Sequence, residues 1–105
     1  QRLIQLMETN VDILFSKDSI LKENIYMHFS RTYLRLMRNV YLNNPLTSEI
    51  KQLYPFIFNT LYDVIHQLSK DTDIQLSEDE IAFLTIHFQS SIERQMHSTI
   101  NVVIV

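Results

Sequence analysis

The sequence predicts an all-α domain, a single five-helix bundle, and three observations carry that reading. Apolar residues recur at three- and four-residue spacings along most of the chain, as a one-sided helix requires. Helix-start residues and the two prolines fall where those stripes begin or break. The 105 residues include no glycine, so the tight primed turns of antiparallel sheets would have to draw their positive φ from Asn or Asp.

The first stripe is Leu3, Leu6, Met7, Val11 and Leu14, which predicts a helix ending near Ser16. Asp18 or Ser16 then caps a long second helix with Leu21, Ile25, Phe29, Thr32 and Leu36 on its apolar face. His28, Arg31 and Arg35 line one edge of that face at helical spacing. Asn43, Asn44 and Pro45 break the helix, because Pro pushes its predecessor out of the α region. Thr47 or Ser48 starts a short third helix reaching about Leu53, and Pro55 suits the first position of a fourth over 55–70. That fourth helix buries Ile57, Leu61, Val64, Ile65 and Leu68, and a polar connection at Asp71, Thr72 and Asp73 leads to a fifth over 78–96.

The fifth helix opens on a capping box. Ser77 is placed to accept from the backbone N–H of Glu80, and Glu80 to reach back to the N–H of Ser77, with Leu76 stapled against Ile81. Ile81, Leu84, Thr85, Phe88 and Ile92 form its buried face, and His87 lies on the adjoining flank with Glu80, Ser91 and Arg94. The tail Asn101–Val105 is β-branched and apolar after the Asn, which reads as a strand and as the border of a following α/β domain. The missing initiator Met points to an excerpt of a longer chain.

Composition narrows the function classes. With 46% apolar and 20% charged residues the chain is an ordinary globular one. No cysteine is present, which removes disulfides and thiolate metal sites. A net charge of −3 with scattered Lys and Arg offers no footprint for a phosphate backbone, so direct nucleic-acid binding by this segment is not expected. No apolar run reaches the ~20 residues of a membrane span, and no signal peptide opens the chain. No glycine loop exists to cradle a nucleotide, no tight His pair suggests zinc, and no cofactor is expected. Phe56, Phe58, Phe83 and Phe88 read as core and dimer contacts, and His66 and His97 as solvated or partly packed side chains.

Several motifs together resemble a known family: His28 with Arg35 seven residues on, Asn44-Pro45-Leu46, Ile50-Lys51 with Tyr54-Pro55, and the run Asp79 to Phe88. In that order they resemble the PTS regulation domain of bacterial transcriptional antiterminators and activators, over about residues 1–96. The resemblance implies a five-helix bundle at 1–98, with 99–105 as a linker into a truncated next domain. It further implies a cytoplasmic, non-enzymatic homodimer that meets DNA or RNA only through other domains of the full-length protein. Its partner would be a phosphocarrier protein or a sugar-specific enzyme II of the phosphotransferase system, and His28 and His87 match the two phosphate-accepting histidines. Met27 stands where an Asp commonly precedes the histidine of a first copy, so the chain looks more like a second-copy domain. The tail resembles the first strand of an enzyme IIB-like domain.

A phosphate-accepting histidine needs a neutral, accessible ring nitrogen. Once phosphorylated it carries about two negative charges, which arginines hold by charge-assisted hydrogen bonds; Arg31, Arg35 and Arg94 are the expected contacts. The competing readings are a helical oligomerisation module without phosphorylation and, less well supported by ligand spacing, a small metal-dependent hydrolase.

Overall fold

The computed structural model describes residues 2–38, 42–70 and 76–104, with the side chains of the last helix described to residue 96. Five α-helices follow one another: α1 Arg2–Val11, α2 Ser19–Met37, α3 Thr47–Leu53, α4 Pro55–Ser69 and α5 Glu78–Ile104. No strand occurs among the described residues. The expected all-helical bundle is therefore the fold, and its helix starts agree with the sequence reading. Asp18 caps α2 by accepting from the N–H of Leu21 at 3.1 Å, Pro55 occupies the first turn of α4, and Ser77 Oγ accepts from the N–H of Glu80 at 3.3 Å.

Two boundaries differ from expectation. Helix α1 stops at Val11 rather than near Ser16, because Asp12 takes φ 63°, a left-handed conformation that ends a helix and that Asp tolerates. A single 3-10 turn at Phe15–Lys17 follows it. The strand expected at the tail is not formed: the backbone is helical through Ile104, and Val105 lies outside the described residues. A lone strand leaves its ladder donors unpaired, whereas a helix satisfies them within the segment. The connection expected at Asp71, Thr72 and Asp73 also lies outside the described residues.

The core is built where the stripes meet. Helix α4 packs against α1 and α5, α3 against α4 and α5, and α2 against α5. Met7, Phe15, Leu21, Ile25, Leu61, Leu84 and Phe88 are fully buried, and Phe15 meets Phe88 edge to face at 4.9 Å. Ile4 and Phe58 join this core although neither lay on the expected stripes, while Leu14 and Leu36 are exposed. Phe56 is exposed, and Phe83 half-buried beside His28.

Asn44 turns the chain from α2 into α3. Its side chain is buried, its Oδ1 accepts from the N–H of Leu46 at 3.0 Å, and Thr47 Oγ1 donates to Asp79 Oδ1 at 2.6 Å, which ties this turn to the start of α5.

Replacing Phe88 with Ala removes a fully buried ring and its partner contact, so unfolding free energy should fall by about 3–5 kcal/mol. Urea denaturation followed by far-ultraviolet circular dichroism measures this, and a loss below ~1 kcal/mol would mean that the Phe15–Phe88 contact does not hold the bundle together.

Candidate functional site

Helices α2 and α5 present their flanks to each other, and chemistry-bearing side chains collect along that border. His28, from the middle of α2, and His87, from α5, face each other with ring centroids 6.0 Å apart and planes inclined by 70°. They line a cleft of about 290 Å³ with Asn24, Met27, Arg31, Arg35, Leu42 and Phe83. Met27 and Arg31 are exposed at its rim, and His87 is half-buried in its wall.

The organising group is one that the sequence reading assigned elsewhere. Glu80 does not close the capping box: its carboxylate turns inward from the first turn of α5 and takes three donors from α2. His28 Nε2 lies 2.7 Å from Oε2, Thr32 Oγ1 donates to the same oxygen at 3.0 Å, and Arg35 Nη2 donates to Oε1 at 2.8 Å. Arg35 Nη2 also donates to Thr32 Oγ1 at 3.0 Å, so the hydroxyl accepts from one neighbour while donating to another. Local spacing favours the capping box, but a buried carboxylate is better satisfied by one guanidinium, one imidazole and one hydroxyl than by a single backbone N–H.

Burial by itself would raise the Glu80 pKa; the hydrogen bonds from His28, Arg35 and Thr32 outweigh it and hold the carboxyl down at about 2. His87 is pushed below the ordinary histidine value, first by burial and then by the positive charges of His28 and Arg94. A lowered pKa keeps the His87 ring neutral at physiological pH, as nucleophilic attack requires.

The arginines divide. Arg31 and Arg35 line the cleft, and the Nε of Arg35 is buried with no hydrogen-bond partner among the described residues. Arg94 does not line it. Two turns beyond His87, its Nη2 pairs with Asp18 Oδ2 at 2.7 Å, which fastens the α2 cap to α5, and it acts on His87 only as a nearby charge. The sequence marks Asp18 as a cap alone; its partner Arg94 lies 76 residues away, beyond the reach of any local spacing. The seven-residue step from Glu80 to His87 was the one available signal for Glu80, since it stacks both on one face of α5.

His66 stacks on Tyr62 outside the cleft, and the side chain of His97 lies outside the described residues. Among the described residues no group of three or more His, Asp or Glu side chains is placed to hold a metal ion. No described helix is long and apolar enough to cross a membrane.

Comparison with known proteins places this site in a family context. The model of the PRD domain matches residues 1–91. The transcriptional regulator ManR of Bacillus subtilis (strain 168) is 34% identical over 85 residues, covering 81% of this chain and 13% of its own length. Protein GlcT of Staphylococcus aureus (strain JH9) is 30% identical over 93 residues, covering 87% of this chain and 33% of its own length, and GlcT of strain Newman gives the same figures. The chain thus spans only 13% to 33% of these relatives. No solved structure matches it significantly.

The two lowered pKa values set a direction for acid sensitivity. A group whose pKa is depressed on folding contributes stability above its unfolded value and loses it as pH falls. The His87 contribution should fade as pH drops through and below 6.5, and that of Glu80 between 4.5 and about 2. Thermal melts from pH 7.5 to 5 should show a falling Tm, and a His87→Gln variant should flatten that slope. An unchanged slope would remove His87 as its source.

Proposed function

Because the chain belongs to the PRD domain family, we propose that it is the regulatory domain of a bacterial transcriptional regulator, switched by histidine phosphorylation at the α2–α5 cleft. The observation that carries this reading is the convergence of two histidines 6.0 Å apart with Arg31 and Arg35 in one open cleft. A phosphoryl group on either ring brings about two negative charges. Arg31 at the rim and the unpartnered Nε of Arg35 supply donors for them. One relative carries the name of a transcriptional regulator, which supports the same assignment.

The donor in this reading is a phosphocarrier protein or a sugar-specific enzyme II of the phosphotransferase system, and the protein works in the cytoplasm. The domain binds phosphate and performs no turnover of its own. DNA or RNA is met through other domains of the longer protein, with 99–105 leading towards one of them. The domain acts as a homodimer. Tyr26, Tyr33, Leu34 and Met37 leave α2 with a row of exposed apolar side chains, a surface that a second copy would cover. New charge on the helix that carries such a surface shifts association, and association carries the signal to the effector.

Incubation of the full-length protein with its phosphocarrier and a phosphoenolpyruvate system should place acid-labile phosphate on His28 or His87, mapped by mass spectrometry. Arg35→Ala should lower the yield at least about tenfold, the scale of one lost charge-assisted hydrogen bond. Sedimentation of the labelled and unlabelled protein should show different dimer fractions. Label on neither histidine would leave a helical oligomerisation module as the better reading.

A further inference from the structure

We propose that Glu80 makes the two histidines unequal: by holding the Nε2–H of His28 it withdraws that nitrogen from attack and leaves His87 as the first to take the phosphoryl group. This deepens the phosphoacceptor reading of the cleft and rests on it.

The geometry carries the asymmetry. A carboxylate offers lone pairs and no proton, so the 2.7 Å contact between Glu80 Oε2 and His28 Nε2 requires the proton to sit on the ring nitrogen. The Nε2 lone pair is thereby unavailable, and Nδ1 is the one nitrogen of His28 left to attack. The His28 side chain is only 11% exposed, and the rings of Phe29 and Phe83 lie 6.2 Å from its own. Glu80 is in turn held by Thr32 and Arg35, so freeing His28 means opening a buried charged network. His87 differs in its hydrogen bonding. It is half-buried in the cleft wall and makes no hydrogen bond to any described residue. Among the described residues its ring nitrogens have no hydrogen-bond partner.

In the transfer, the P–N bond of the donor phosphohistidine breaks and its electron pair returns to the donor ring. The lone pair of the unprotonated His87 nitrogen forms the new P–N bond. The proton on the other His87 nitrogen is released to solvent as the donor ring takes one up, so charge and protons balance. Arg31 and Arg35 receive the phosphoryl oxygens. Glu80 touches none of the reacting atoms: it is a positioning residue, acting through His28. Its own negative charge keeps it an unsuitable neighbour for phosphate unless Arg35 stands between them.

The experiment uses the full-length protein with a phosphoenolpyruvate-charged phosphocarrier, stopped at short times, with phosphate at each histidine counted by mass spectrometry. Nitrogen-15 spectra of the ring nitrogens are recorded in parallel. Label should appear on His87 about tenfold faster than on His28, the ratio expected when one ring must first give up a charged hydrogen bond. The spectra should show His28 Nε2 protonated. In Glu80→Gln that signature should weaken, and His28 labelling should accelerate until the two rates lie within about threefold. A purely structural Glu80 would slow both rings together and leave their ratio alone. Should Glu80→Gln fail to fold, His87→Gln decides: early label should almost vanish, with slow label remaining on His28. Label reaching His28 first, or both at equal rates in the unaltered protein, overturns the assignment of order while leaving the phosphoacceptor reading standing. Label on neither, with a competent donor, removes both.

Discussion

A single buried carboxylate decides how α2 and α5 meet. Glu80 is 6% exposed, and leaving its charge unpaired there would cost several kcal/mol. Three donors from α2 offset that cost only in one register, with His28, Thr32 and Arg35 on successive turns of one strip. The same register brings His28 opposite His87, one above the other along the α5 face that Glu80 begins. The position of Glu80 in the first turn of α5 adds a favourable helix-dipole term to its ionised form. Folding and site assembly therefore share one contact. A rearrangement that frees His28 must also loosen the packing of the two helices.

Much of this was legible in the chain. The absence of glycine, the two prolines and the 3.6-residue stripes located all five helices, and the starts of α2, α4 and α5 were right because capping obeys short-range rules that sequence displays directly. Both cleft histidines were found on the flanks of their stripes, and family resemblance singled them out for a common role. What stayed hidden was chosen by distant partners. Glu80 satisfied a local capping rule on paper but answers to residues 45 to 52 positions away. Arg94 appeared free to serve the histidines and is held by Asp18. The tail resembled a strand because β-branched propensity is a statement about packing on a sheet, and no sheet partner is present among the described residues.

Two ion pairs bracket the α2–α5 border and differ in kind. Glu80 with Arg35 and His28 lies in the interior near the start of α5, where breaking one partner leaves a buried charge. Asp18 with Arg94 pins the start of α2 to a later turn of α5, and its arginine is 35% exposed, so screening makes it the weaker clamp. Opposite ends of α2 are thus held with unequal strength. The charge that the proposed phosphorylation would add near His87 falls on the border between them.

Helix α5 continues without interruption from this border to Ile104. At ~1.5 Å per residue the stretch beyond Glu80 is roughly 36 Å of lever arm. A tilt of ~5° about the Glu80 contacts would sweep the far end by about 3 Å. Under the proposed phosphorylation, chemistry confined to one imidazole ring would be converted into displacement at the far end of α5, with the rigidity of a single rod as the gearing.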